Sequence, residues 1–141
     1  MEFESPSIHR TIDNLAQRRG RFSPEAYLFT LDALNRTVRY MPVRRHLSGQ
    51  ELLRGIVFHA YDRFGEMAVG VLDEWGVSKT GDFGQIVFDL IEVGILSKTE
   101  DDRMEDFEEV FDLREEIVEE GWRQKWRLSR SEKLMGFGED L

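Results

Sequence analysis

Three groups of side chains in this 141-residue chain have the types and spacing to do chemistry. The first is Arg44-Arg45-His46, which runs into Ser48-Gly49-Gln50-Glu51. Ser48 and Glu51 stand three apart, the spacing at which a hydroxyl and a carboxylate each take a free backbone N–H at a helix start. Cationic side chains beside such a start make Arg44, Arg45 and His46 a candidate anion-binding site, because the unpaired N–H groups and the helix dipole both favour negative charge. Capping alone also explains Ser48 and Glu51, with the arginines then pairing with acids of the body. The second group is His59 with Asp62, three apart on one helix face and suited to a surface hydrogen bond or a ligand pair. The third is Trp122 to Leu134, WRQKWRLSRSEKL, in which basic residues alternate with aromatic ones.

That third segment has two readings. Basic residues interleaved with tryptophans bind RNA, anionic lipid or an acidic protein surface, which makes Trp122, Arg123, Lys125, Trp126 and Arg127 candidate partner-binding residues. Alternatively the segment folds back on the chain's own acidic 100–120 region with its tryptophans over the core, since exposed Trp is costly and opposite charges lie adjacent.

The recognisable parts of an enzyme are missing. There is no Cys, which excludes disulfides, thiolate nucleophiles and cysteine zinc sites. His9, His46 and His59 fall in no H-E-x-x-H or E-x-x-H pattern, no serine sits in G-x-S-x-G, and no Walker-type loop occurs. Carboxylates abound, but none has an evident cause for a raised pKa. The sequence therefore reads as non-catalytic, with no catalytic residue, cofactor or metal site.

Helices must position these groups. Ile8, Ile12 and Leu15 predict a short helix stopped near Gly20. Ser23 as N-cap and Pro24 in the first turn open a second, which Pro42 ends. A third runs from Ser48 to Gly65 with Leu52, Leu53, Ile56, Val57, Ala60 and Phe64 inward. A shorter one spans Glu66 to Trp75, with Met67, Val71 and Leu72 inward, and a fifth, capped by Thr80 or Asp82, ends at Gly94. Beyond Ile95 the period changes: ILSKT and FEEVFDL read as strands joined by the charged turn EDDRMED. After Asp112 a helix resumes, weakened in its middle by Gly121, and GFGEDL at the end reads as disordered.

The fold expected is mainly α with a small β-hairpin, an α+β helical bundle whose second half is winged-helix-like. Residues 1–113 would form one compact domain and 114–141 a C-terminal helical extension. Winged helices commonly read DNA through the helix before the wing. Here that helix carries Asp82, Asp89 and Glu92 without a cation, and residues 100–121 hold 12 acidic side chains against 2 basic ones. Such a surface repels phosphate.

The stretches RFSPEAYLF…LDAL, RHLSGQELL, RFG, EWGV, TGDFGQIVFDLIEVGILSKTEDD and EDFEEVFDL resemble, in that order, a small family of uncharacterised proteins found chiefly in Planctomycetes and Verrucomicrobia. The likeness spans Arg21 to Leu113, with Tyr27, His46, Trp75, Phe83 and Asp106 among its distinctive positions. It implies no activity, cofactor or site residue, and it leaves out the tail from Arg114 onward.

The expectation is a non-catalytic, acidic, cytoplasmic protein-interaction module that binds another protein or itself. The alternative is a nucleic-acid-associated protein that uses Arg36, Arg39, Arg44, Arg45 and the basic tail. MEFESPSIHR places acids before any apolar run, and no stretch of about 18 apolar residues occurs, so no membrane insertion is expected.

Overall fold

The computed structural model describes residues 6–43, 45–100 and 102–134. Arg44 and the final GFGEDL segment lie outside the described residues. Among the described residues six α-helices follow in order: α1 (Pro6–Arg19), α2 (Pro24–Arg39), α3 (Gly49–Phe64), α4 (Ala68–Glu74), α5 (Thr80–Glu92) and α6 (Leu113–Leu134), with 3-10 turns at Gly65–Met67 and Met104–Phe107. The central element is α3, which touches α2, α4, α5 and α6. Its apolar residues Leu53, Ile56 and Val57 are buried together with Ile12, Leu15, Tyr27, Leu72, Phe83, Ile86 and Leu90.

Local chemistry accounts for the helix ends. Ser48 caps α3, its hydroxyl accepting from Glu51 N at 3.1 Å while the Glu51 carboxylate accepts from Ser48 N at 2.9 Å, the reciprocal box read from the sequence. Ser23 precedes α2 in extended geometry, but its buried hydroxyl caps nothing and has no partner among the described residues. Thr80 does not cap α5 either. It is the first helical residue, and its hydroxyl donates to Phe107 O at 2.6 Å. Gly94, at φ 82°, follows the end of α5 in the left-handed region that favours glycine.

The expected hairpin over 95–113 is absent, and no strand occurs among the described residues. The winged-helix half of the expected fold falls with it, because a wing is a pair of strands. Short acidic side chains close local turns in and beside this stretch in place of a ladder. Asp102 accepts from Thr99 N at 2.8 Å and Asp106 from Arg103 N at 3.2 Å, while Asp112 caps the start of α6, accepting from Glu115 N at 3.0 Å. Short acidic side chains compete with secondary structure in this way. What resembled strand alternation is one anchor. Phe107 is buried against α3 and α5, where a Cβ at position 84 would lie 2.6 Å from the Phe107 Cβ and one at position 49 would lie 3.0 Å from its ring. Only glycine at 84 lets the segment approach so closely.

Candidate functional site

α6 carries the residues with the clearest unmet chemistry. Its inner side is fixed by Leu113 and Ile117, which join the core, and by Gly121, where a Cβ would meet the Tyr61 ring at 2.7 Å. The glycine that should weaken this helix is therefore what allows α6 to lie against α3. Charges on the flanks of this contact are paired. Arg54 reaches Glu116 at 3.1 Å, Arg123 reaches Glu116 at 3.1 Å and Glu120 at 3.0 Å, and Arg127 lies 3.7 Å from Glu120. Lys125 crosses to Glu66 at 2.9 Å, and that pairing raises the lysine pKa and lowers the glutamate's.

The tryptophans do not cover the core. Trp122 is 65% exposed and Trp126 61%, and Val118 is exposed beside them. Positions 118, 122 and 126 are four apart, so they make one stripe on the outer side of α6. Two cations lie over the rings: Lys125 Nζ is 5.4 Å from the Trp122 centroid and Arg130 Cζ is 4.8 Å from that of Trp126. Beside the stripe, a cleft of about 310 Å³ is lined by Tyr61, Val69, Val118 and Trp122 among others. Met67, expected inward, is 72% exposed, because the chain makes a 3-10 turn at Gly65–Met67 before α4 begins.

The Arg45–His46 group has its charges already engaged. Arg45 grips Glu51 through both guanidinium nitrogens, one of them at 2.9 Å. With Arg45 and the Ser48 N–H both on it, the Glu51 carboxyl is held down to about 2. His46 Nε2 sits 3.0 Å from Asp102. Burial pushes the Asp102 carboxyl up, but the Thr99 N–H and His46 outweigh it and hold the group below its ordinary range. The N–H groups of Ser48 and Glu51 at the helix start are likewise occupied. Behind this rim lies an apolar cavity of about 280 Å³ lined by Leu34, Val38, Leu52, Val87, Leu96 and Phe107 among others.

The acids of α5, read as a charged reading face, are mostly internal. Asp82 is 2% exposed and accepts from Arg21 at 2.6 Å, Ser78 N at 2.9 Å and Lys79 N at 3.2 Å. Asp89 is 1% exposed and takes the Tyr27 hydroxyl at 2.8 Å, Gln85 Nε2 at 2.9 Å and Arg19 at 3.1 Å. Buried carboxylates persist only when paired in this way. They pin α1, α2 and the preceding loop to α5, and of the three acids only Glu92 faces solvent.

His59 pairs differently from its expected partner. It is buried and stacks on Phe29 at 5.0 Å. A guanidinium can only donate, so Arg36 donates to Nδ1 at 2.7 Å and Nε2–H donates to Asp32 at 2.9 Å. Asp62 instead takes Arg36 at 3.3 Å. Burial, with Arg36 nearby, lowers the His59 pKa against the opposing pull of Asp32. A histidine–carboxylate pair resembles the base and orienter of a hydrolase, yet the nitrogen that would take a proton is filled by Arg36. The nearby Thr30 and Thr37 hydroxyls bond to Ala26 O and Ala33 O in their own helix. No cluster of three or more His, Asp or Glu able to hold a metal occurs among the described residues. No helix among them is long and apolar enough to cross a membrane.

No family model, curated protein or solved structure matches the chain. Of the partner-binding residues singled out from sequence, the structure brings Trp122 and Trp126 onto one face and turns Arg123, Lys125 and Arg127 to acids of the same chain. Sequence reasoning missed Val118, whose place four residues before Trp122 was the available signal.

Proposed function

We propose that this chain is a non-catalytic interaction module that binds a protein surface, its own or another's, through the outer face of α6. The observation that carries this reading is the exposed Val118–Trp122–Trp126 stripe on a helix whose opposite side is already packed and charge-paired. Tryptophan is among the residues that contribute most to protein contacts when a partner desolvates it. Charge speaks against the nucleic-acid alternative: Arg36, Arg45, Arg123, Lys125 and Arg127 each face a carboxylate of the same chain. Phosphate binding would have to break those pairs beside an acidic surface.

The test is a full-length Trp122→Ser/Trp126→Ser double variant. Its circular dichroism and urea midpoint should match the parent to within about 0.5 kcal/mol, as for exposed positions generally. Self-association in light scattering, or retention of a protein partner, should be lost. The reading is contradicted by a parent chain that stays monomeric and retains no protein in a tryptophan-dependent way.

A further inference from the structure

We infer that the partner of the α6 face is a second copy of this chain, docked antiparallel about a two-fold axis at Trp122. This rests on the reading of α6 as a docking face and names its occupant. The carrying observation is a division among the charges of α6. Glu116, Glu120, Arg123 and Arg127, on the side toward the body, pair within the helix or with α3. Glu115, Glu119 and Arg130 are exposed and have no ion partner among the described residues; Arg130 lies over the Trp126 ring. At 100° per residue all three project on the side of the tryptophans. The outer face is therefore acidic before Trp122 and basic after it.

A helix face with that polarity is complementary to itself when reversed. Val118 and Trp126 lie four residues to either side of Trp122, so a two-fold axis there sets Val118 of one copy against Trp126 of the other and Trp122 against Trp122. The same operation carries Glu115, seven residues before the axis, to the level of Arg130, eight after it and four beyond Trp126 on the stripe; Arg114, the position that mirrors Arg130, is itself held by Asp73 at 2.7 Å. An isologous contact repeats each such pair twice. A parallel arrangement would instead place acid against acid. Like charges on matching flanks of paired helices specify against that register. One helix face against another falls at the small end of interface sizes, so the dimer should be concentration-dependent with a Kd on the order of micromolar.

Sedimentation equilibrium on the full chain tests this with three variants. Glu115→Arg and Arg130→Glu should each weaken dimerisation by about tenfold or more, since each places like charges together at two symmetric points. The double variant Glu115→Arg/Arg130→Glu should return the Kd to within about threefold of the parent, as complementary exchange requires. A parent chain that is monomeric at about 1 mM overturns the inference, being far above any functional Kd of this class. So does a dimer indifferent to both single reversals, or one that the double exchange fails to restore. If the parent is monomeric but binds a different protein through Trp122 and Trp126, the inference fails while the docking role of α6 stands. If neither self-association nor tryptophan-dependent binding occurs, both fail.

Discussion

Tyr27→Phe removes one oxygen from the middle of the molecule and tests whether the Asp89 network holds the first two helices to α5. The Tyr27 ring is fully buried and its hydroxyl donates to Asp89 Oδ2 at 2.8 Å. In the variant the ring stays and the carboxylate keeps Gln85 and Arg19 but loses its tyrosine donor. A hydrogen bond to a charged acceptor contributes about 1.5–3 kcal/mol, and so little volume is removed that the cavity adds almost nothing. A loss of about 2 kcal/mol is expected, or about 6–8 °C in Tm for a chain of this size. The assay is urea unfolding followed by circular dichroism, with an unchanged m-value as the check that only stability moved. Alkaline pH provides a second readout. Burial, then the Asp89 hydrogen bond and charge, raises the phenol pKa above its ordinary value, so the folded state keeps a proton that the unfolded state releases above about pH 10. Stability present below that pH must fall as pH rises, by up to about 1.4 kcal/mol per pH unit. The phenylalanine variant lacks this group, so its deficit should shrink between pH 9 and 11. A variant within about 0.5 kcal/mol of the parent at pH 7, or a deficit constant across that range, would refute the reasoning.

Burial lowers the His59 pKa in the folded state, so the unfolded chain, which takes up a proton below about pH 6.5, binds it more readily. Its contribution is complete above that pH and declines as pH falls; His59→Gln should flatten the urea midpoint between pH 7 and 5, and equal slopes would exclude the effect. Ser48→Ala should cost about 1 kcal/mol through the lost cap of α3, and an unchanged denaturation midpoint would show that Glu51 and Arg45 suffice alone. Gly84→Ala, which in an open helix would gain about 1 kcal/mol, should here destabilise by about 1–3 kcal/mol because the Cβ strikes Phe107. Limited proteolysis should then cut within 95–112, and a stabilised, uncut variant would show that the segment is not held by Phe107.

Some features whose cause lies within a few residues were legible in the sequence, although the cap read at Ser23 does not form. The Ser48–Glu51 box and the stop at Gly94 are decided by neighbours along the chain, and both occur where residue type placed them. Features whose cause lies across the fold were not. FEEVFDL looked like a strand, but Gly49 and Gly84, far away in sequence, make the slot that holds its Phe107; the local turns closed by Asp102 and Asp106 beside it went unread. Asp82 and Asp89 looked solvated because acids usually are. α5 is buried on most sides, however, and the arginines that neutralise the two acids come from α1 and the loop after it. The same holds for His59, whose partners Asp32 and Arg36 lie on α2 while the nearby Asp62 bonds elsewhere.

For the tail, the sequence offered either packing or projection, and α6 divides the two by face. Leu113, Ile117 and the Gly121–Tyr61 approach anchor the helix, and the Arg123 and Lys125 pairs lie on that anchored side. Folding therefore has no need of Trp122 or Trp126, while a large exposed aromatic stripe carries a standing risk of nonspecific association. A feature that adds hazard without stability is best accounted for by what covers it. The same separation decides how it must be probed. Deleting residues 122–141 would remove the Lys125–Glu66 and Gln124–Phe58 ties along with the tryptophans, so lost binding would be confounded with a loosened helix. Substituting the two indoles leaves those ties in place, and any change in association then belongs to the outer face alone.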